Sequence, residues 1–269
     1  MTDPGGYDAE FLGTALPLPR PSDDRPTTVL AYPHFSVTLD PARRLAVATG
    51  VNIDGATVRD LARTGRWDFD PRIPADQQTG PTVYADNDLD RGHLVRRRDP
   101  GWGDPATAKR ATDATFVFTN AAPQASGFNQ SAELWLGLED HVLGYAQAQG
   151  ARISVFTAPV LAVDDPPYRG ILVPRRFWKI AAWATGVPSA PLAAAGFVLD
   201  QSDLIDATVR KGVAVAPLGG FRTFQVPIAD IEAEAGVEVG VLAEADVLGV
   251  HAARALEWVE LRTASDIRL

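Results

Sequence analysis

Residues 90–150 carry three short polar motifs together with a predicted strand and a predicted helix. They read Asp90-Arg-Gly-His93, Thr119-Asn-Ala-Ala-Pro-Gln124 and Phe128-Asn-Gln130. Between the first two, the β-branched and aromatic run Thr115–Thr119 predicts a buried strand. After the third, apolar residues recur at helical spacings from position 132 to position 145, which predicts a helix over Asn129–Gly150.

Working outward, strands outnumber helices on both sides of this stretch. Upstream, Ser36–Leu39 and Leu45–Ile53 flank an Asp-Pro turn and predict a hairpin. Downstream, the pattern predicts strands at Arg152–Ala158, Ile171–Val173, Phe177–Thr185 and Ala193–Leu199, a short helix near Ile228–Ala235 and a helical tail over Ala252–Thr263. Strands and helices do not alternate, and no Gly-rich phosphate loop is present. The pattern therefore favours an α+β fold and disfavours a nucleotide cofactor.

Length and composition bound the domain organisation. The chain has 269 residues, of which 46% are hydrophobic and 22% charged, so it can bury a sizeable core. The Pro-rich texture of residues 1–25 predicts an irregular arm, and we expect a single domain over residues 26–269 with a motif core at about 66–150. The sequence has no Cys, so any metal must be bound by oxygen or by imidazole.

Charge and hydropathy limit which binding partners and which cellular compartment we expect for this chain. The balance of 25 Lys+Arg against 34 Asp+Glu gives a net charge of −9, which argues against a surface coated with nucleic acid. A phosphate-bearing partner therefore needs a local basic patch. The run Arg96–Arg98 supplies one, unless its arginines pair with nearby aspartates in a solvated loop. No signal-like start and no long apolar run occurs, so we expect a cytoplasmic protein without a membrane partner, and export independent of a signal stays open.

His93 is the histidine best suited to acid–base chemistry. It lies in a polar, Gly-containing motif beside Asp90 and Arg91, where a positioned neutral imidazole can take a proton from water. The adjacent arginine offers a fork of donors for phosphate oxygens, and the aspartate could orient the turn. A histidine that caps a turn or packs in the core is the alternative.

Asn129 stands where the long predicted helix begins. Asn is a favoured N-cap, which is one interpretation. The other is a metal ligand, because Mg²⁺ takes oxygen ligands and commonly keeps several of its waters. One Asn carbonyl, with a carboxylate further out, is then chemically sufficient.

Taken together, the three motifs resemble those of the DNA/RNA non-specific endonucleases, which are ββα-metal or His-Me finger nucleases. Asn120 and Asn129 are nine residues apart, as in the motif of that family. The likeness continues upstream into Asp70-Pro-Arg-Ile73 and downstream into Phe224–Glu232, so it covers most of residues 30–235. The resemblance implies a ββα-metal core on a mixed, mainly antiparallel central β-sheet flanked by helices.

The resemblance also implies a role for each motif residue. His93 would be the general base, Asn129 the direct metal ligand and Arg91 a phosphate contact. Glu139 would orient metal-bound waters, although an apparent two-residue extension after Asn129 makes Glu133 a competitor for that acidic role.

Substrate contacts around this centre follow from the same resemblance. An upstream arginine that contacts phosphate in the family falls on Arg66, with Arg63 or Arg72 as alternatives. Asn120 would be a further substrate-binding residue, with Asp90 in a supporting role. Arg96, Arg97 and Arg98 depart from the family, in which many relatives have small apolar residues here, and they are expected to bind substrate because they place positive charge beside the proposed base.

The activity implied by the resemblance is sugar-non-specific hydrolysis of phosphodiester bonds in DNA and RNA, giving 5′-phosphate ends. One Mg²⁺ or Mn²⁺ ion per active site would be the cofactor. An inhibitor or regulatory protein is a further expected partner, and the sequence is compatible with a homodimer. Two alternatives stay open: a catalytically weak nuclease-like domain that binds nucleic acid or protein, and a phosphodiesterase for small substrates.

Overall fold

The structure is a computed structural model that describes residues 5–126, 135–205, 222–249, 258–263 and 266–268, with the backbone alone for 135–141. Its strands, in chain order, are β1 (Arg20–Pro21), β2 (Thr28–Tyr32), β3 (Phe35–Asp40), β4 (Leu45–Asp54), β5 (Leu89–His93), β6 (Ala121–Ala125), β7 (Arg152–Pro159), β8 (Pro167–Tyr168), β9 (Ile171–Leu172), β10 (Arg176–Val187), β11 (Ala190–Asp200), β12 (Arg222–Val226), β13 (Val237–Glu238) and β14 (Val259–Leu261). Its helices are α1 (Pro81–Tyr84), α2 (Pro105–Ala114), α3 (Trp135–Gln149), α4 (Ile228–Ala235) and α5 (Val241–Glu244), with 3₁₀ turns at Ala75–Gln77 and Phe118–Asn120.

The centre of the fold is an eight-stranded antiparallel sheet in the order β14-β12-β11-β10-β7-β4-β3-β2. Strand β4 is buried at every position but its last, as expected for a strand covered on both faces. The neighbouring aromatic residues Phe177 and Trp178 on β10 are both fully buried and belong to different core clusters. This two-sided burial follows from the strand period of two, which sends successive side chains to opposite faces.

Each face of the sheet has its own hydrophobic cluster. The first cluster joins the sheet to the β5–β6 pair through Leu89 and Ala122, and to α3 through Leu143. The second contains Leu16 from the N-terminal segment and Ile231 from α4. The pair β5–β6 and helix α3 therefore share one face, which places the motif residues on that side of the molecule.

Most predicted sheet elements are confirmed. The predicted hairpin corresponds to β3 and β4, and the predicted strands after residue 150 correspond to β7, β10 and β11. The predicted short helix is α4, with the same bounds. The α+β class with a mainly antiparallel sheet is likewise confirmed.

Two predicted elements are wrong. Thr115–Thr119 is not a strand: Phe118–Asn120 form a 3₁₀ turn, and the partner of β5 is Ala121–Ala125. The alternation of Phe116 and Phe118 reflects packing in an aromatic cluster and not a ladder of hydrogen bonds.

The helical tail is the second error. Its described C-terminal part is strand β14, which pairs with β12 in register Thr223↔Leu261. Pairing with a sheet edge decides the conformation there, and this long-range partner cannot be read from local periodicity. The earlier part of the predicted tail, residues 252–257, lies outside the described residues.

Candidate active site

The Gly of the first motif is required by a close approach between two strands. Gly92 on β5 lies under the side chain of Gln124 on β6, and a Cβ added at Gly92 would stand 2.0 Å from the Gln124 Cδ. No side chain fits in that space. The residues on either side, Arg91 and His93, are two apart on the strand and so project on its other face.

Asn120 holds the chain where it leaves β5. Its Oδ1 accepts from the Val95 amide at 2.9 Å, and its Nδ2 donates to the Val95 and Thr115 carbonyls at 3.0 Å each. Its backbone carbonyl accepts from the Leu94 amide at 3.0 Å. Asn120 has no exposed surface, and its amide group is already engaged on both sides. The expectation that Asn120 binds substrate does not fit this burial, and the residue instead fixes the turn after His93.

The far end of β6 is held by Gln201, which the sequence did not single out. Its Oε1 accepts from the Ala125 amide at 3.0 Å, and its Nε2 donates to the carbonyls of Pro123 at 3.2 Å and Pro174 at 2.8 Å. Gln201 is fully buried at the end of β11. A single amide side chain therefore couples the motif strands to the central sheet.

His93 is surrounded by aromatic rings. The Trp67 ring lies 4.5 Å from the imidazole centroid with an interplanar angle of 46°, and the Phe116 ring lies 4.9 Å away at 88°. His93 Nε2 is buried and has no hydrogen-bond partner among the described residues. A buried polar atom without a partner is rare in a folded protein and calls for a functional explanation.

The electrostatic environment keeps His93 neutral. Burial, followed by the positive charges of Arg63 and Arg97, lowers the pKa of His93 from 6.5 to about 3. Burial penalises the charged imidazolium, and two neighbouring cations add to that penalty. The ring is therefore an uncharged proton acceptor at neutral pH, which is the state that a general base requires.

The three upstream arginines lie in different environments. Arg63 is exposed, stands 5.5 Å over the Phe116 ring centroid and acts on His93 through its charge. Arg72 is bound to Asp70, with 2.6 Å between Nη2 and Oδ2, and lies over the Tyr32 ring at 4.6 Å. Arg66 is exposed and directly precedes Trp67. The geometry thus brings Arg63 into the surroundings of His93 and gives Arg72 a structural ion pair.

Two arginines of the basic run Arg96–Arg98 contact residues of the segment that precedes the Asp90–His93 motif. Arg97 Nη1 donates to the Leu61 carbonyl at 2.7 Å, and Arg98 Nη2 lies 3.9 Å from the Asp60 carboxylate. Both arginines, like Arg96, are half-buried, whereas Arg91 is exposed. A phosphate-binding role for this run stays a prediction, and two of its members also bind protein groups.

The proposed metal centre lies largely beyond the part of the chain that the structure describes. Asn129 and Glu133 fall outside the described residues. Glu139 lies on α3, where the backbone alone is described. Within the described ranges, no group of three or more His, Asp or Glu side chains could hold a metal ion.

Sequence reasoning did not connect the aromatic side chains to His93. Trp67 and Phe69 alternate before the motif, as Phe116 and Phe118 do after it, and all four join one cluster. This shared period of two was the available signal. Among the described residues, no helix combines the length and apolar character that crossing a membrane requires.

Comparisons with known proteins agree with this geometry. Residues 19–244 match the family model described as DNA/RNA non-specific endonuclease. A protein named "Uncharacterized protein y4fB" from Sinorhizobium fredii (strain NBRC 101917 / NGR234) is 38% identical over 288 residues, covering 98% of this chain and 42% of the relative. The chain thus spans about two fifths of the length of the curated relative that it matches.

The fold also resembles a solved nuclease structure. The structure described as "Crystal structure of the EndoG/EndoGI complex: Mechanism of EndoG inhibition" matches with a TM-score of 0.58 and 20% identity, over 78% of this chain and 84% of that chain. At this identity the likeness concerns the fold. The family match covers most of the chain and contains both β5 and β6, and we conclude that this chain belongs to the DNA/RNA non-specific endonuclease family.

Proposed function

We propose that this chain is an endonuclease that hydrolyses phosphodiester bonds of both DNA and RNA, with His93 as its general base. The observation that carries the proposal is the neutral His93 ring, whose buried Nε2 has no partner among the described residues and which two arginines flank. A neutral base beside fixed positive charge suits attack on a phosphodiester, where the base takes a proton while negative charge grows on the phosphate.

The reaction then proceeds by direct attack of water. His93 takes one proton from a water molecule, the water oxygen bonds to phosphorus, the bond from phosphorus to the 3′-oxygen breaks, and the released 3′-oxygen takes a proton from solvent. The products carry a 5′-phosphate and a 3′-hydroxyl group. Arg91, exposed on the same strand, and Arg63 or Arg66 upstream hold the phosphate oxygens. Contacts of this kind recognise the backbone and explain why neither base sequence nor sugar is selected.

The family is typically dependent on a divalent metal. Asn129 would hold one Mg²⁺ or Mn²⁺ ion, with Glu139 or Glu133 further out, and the bound cation would supply charge stabilisation at the phosphate. An unpartnered ring nitrogen fits a hydrated cation nearby, because metal-bound waters are hydrogen-bond donors.

Control by another protein forms part of this proposal. A nuclease working in the cytoplasm needs restraint, and the solved structure with a similar fold is a complex of EndoG with EndoGI that concerns the inhibition of EndoG. We place an inhibitor or regulatory protein among the partners of this chain. Co-purification with a tagged chain, followed by loss of cleavage when the partner is added back, tests this directly.

The test of the activity is cleavage of supercoiled plasmid and of total RNA by the wild type and His93→Ala, each with Mg²⁺, with Mn²⁺ and with EDTA. We expect metal-dependent cutting of both polymers that falls at least ~100-fold in the variant, as for loss of a positioned proton acceptor. Cutting that survives the substitution contradicts the role of His93.

Two further outcomes identify the alternatives. Nucleic-acid binding in EDTA without cleavage indicates a binding module. Hydrolysis of a small chromogenic diester with little action on plasmid indicates a phosphodiesterase for small substrates.

A further inference from the structure

A segment that no motif marks lies across the catalytic histidine. Residues 58–68, here called the strap, run beside the basic run and end at the aromatic cluster. The Arg59 amide donates to the Gly101 carbonyl at 2.8 Å, and its Nε donates to the Gly103 carbonyl at 2.6 Å. The N-terminal end of the strap is therefore tied to the loop that follows the basic run.

Hydrogen bonds also hold the other end. The Asp68 amide donates to the Phe116 carbonyl and the Phe118 amide donates to the Asp68 carbonyl, each at 3.0 Å. Just beyond, the Tyr32 hydroxyl lies 2.5 Å from Asp70 Oδ2 and 2.8 Å from Thr119 Oγ1. This buried network ties the strap to the same turn that precedes β6.

The middle of the strap is pressed against the aromatic cluster. A Cβ added at Gly65 would stand 2.0 Å from Phe116 Cδ2, so the strap backbone lies directly on that ring. Arg63 covers the same ring, and Arg97 binds the Leu61 carbonyl. Contacts at both ends and in the middle thus hold the strap in one path over the site.

This path of the strap places the Trp67 ring against the His93 imidazole. Its ring contacts the imidazole at 46°, while Phe116 meets the same imidazole at 88°. Two rings in different planes limit rotation of a side chain whose terminal torsion is otherwise broad. They also cover part of the imidazole, which is half-buried in the folded chain.

We propose that Trp67 is a positioning residue, which the strap holds against His93 so that the imidazole keeps one orientation and the part of the ring that Trp67 contacts stays shielded from bulk water. This inference rests on the proposed function only in naming His93 as the base. The shielding itself is a property of the folded chain, and it can be measured without any cleavage.

The first readout is the rate at which diethyl pyrocarbonate modifies each histidine in metal-free protein, followed by peptide mass spectrometry. The reagent attacks neutral imidazole, so the modification rate of a neutral His93 reports its exposure, and His34, half-buried like His93, serves as an internal reference. In Trp67→Ala we expect His93 to react at least ~10-fold faster than in the wild type, because protection follows local cover. Trp67→Phe keeps a ring there and should stay near the wild-type rate.

The second readout separates turnover from binding. With plasmid as substrate, Trp67→Ala should lower kcat by about 10- to 100-fold, because a misplaced catalytic group loses rate steeply. KM should stay within about twofold, because the strap arginines are untouched. Trp258→Phe is the matched control: that tryptophan packs on Phe224 and bonds Asp230 at 2.7 Å, away from His93.

Gly65→Ala supplies an independent variant if Trp67→Ala does not fold. Its methyl group would collide with Phe116 and push the strap away, so His93 should again become more reactive. Unchanged His93 reactivity in a folded Trp67→Ala or Gly65→Ala protein overturns the proposal. If the wild type fails to cleave any substrate, the proposed function fails, while the modification rates still decide the role of Trp67.

Discussion

His93 is held from two sides by two different kinds of contact. On the β6 side, Asn120 fixes the backbone after the histidine with hydrogen bonds that are fully buried. On the strap side, Trp67 and Phe116 hold the ring by packing alone. Removing one partner of a buried hydrogen bond costs the most stability, because the other partner is left unsatisfied, whereas packing can be weakened in steps by smaller side chains. Substitutions on the β6 side should therefore be all or none in their effect on stability. Substitutions on the strap side should have graded effects on the packing around His93.

The largest expected effect tests the hydrogen-bonded side. Asn120→Ala leaves the Val95 amide and two carbonyls buried without partners, and we expect a loss of about 3 kcal/mol or more in the free energy of unfolding. Urea denaturation measures this loss. Asn129→Ala, a control at the proposed metal ligand, should leave the free energy of unfolding of metal-free protein unchanged within about 1 kcal/mol. Equal stability of Asn120→Ala and the wild type would refute the all-or-none description.

A somewhat smaller effect tests the close approach beneath the motif. Gly92→Ala places a methyl group against Gln124, and overpacking of this kind costs about 1–3 kcal/mol. Gln124→Ala in the same chain should restore part of that loss by removing the colliding atoms. A double-mutant cycle from urea denaturation gives the coupling, and additive single effects would show that the two side chains do not meet.

The packed side predicts a pH dependence. The folded-state pKa of His93 lies near 3, below its ordinary 6.5, so the unfolded chain binds more protons between these values. Stability should therefore fall as pH drops from about 6.5 toward 3. Between pH 7 and pH 5 the wild type should lose about 2 kcal/mol more than His93→Gln, from the linkage relation. Denaturation curves at the two pH values check the difference, and identical losses would contradict a neutral buried ring.

The smallest effect distinguishes the upstream arginines. Arg63→Gln removes a charge that lowers the pKa of His93, so that pKa should rise slightly and KM for plasmid should increase several-fold, about the effect of one lost phosphate contact. Arg72→Gln breaks an ion pair with Asp70 and should chiefly lower stability, by about 1 kcal/mol. Nuclear magnetic resonance titration of His93 and steady-state kinetics separate the two. The same changes in the His93 pKa, in KM and in stability for both variants would contradict different roles for Arg63 and Arg72.

The same contrast explains what the sequence could predict. Strand alternation and turn residues predict β3, β4, β7, β10 and β11, because these signals are local. The motif likewise predicts His93 as the candidate base. The contact of Trp67 with His93 joins residues that are 26 positions apart, and nothing local marks it.

The errors have the same cause. Phe116 and Phe118 alternate as in a strand, but their backbone pairs with Asp68 in a single bridge and then turns. The phosphate-binding role of the basic run stays a prediction, and the contacts of Arg97 and Arg98 with the strap could not be predicted from composition. The sequence shows which side chains are charged, whereas tertiary structure determines which groups these side chains contact.

The bridge made by Gln201 has a consequence for the timing of synthesis. The Ala125 amide is 76 positions earlier in the chain than Gln201, so it has no acceptor from that side chain until residue 201 has been synthesised. The β5–β6 pair therefore receives this anchor only after β11 has been made, with β12 and β14 of the central sheet still to follow.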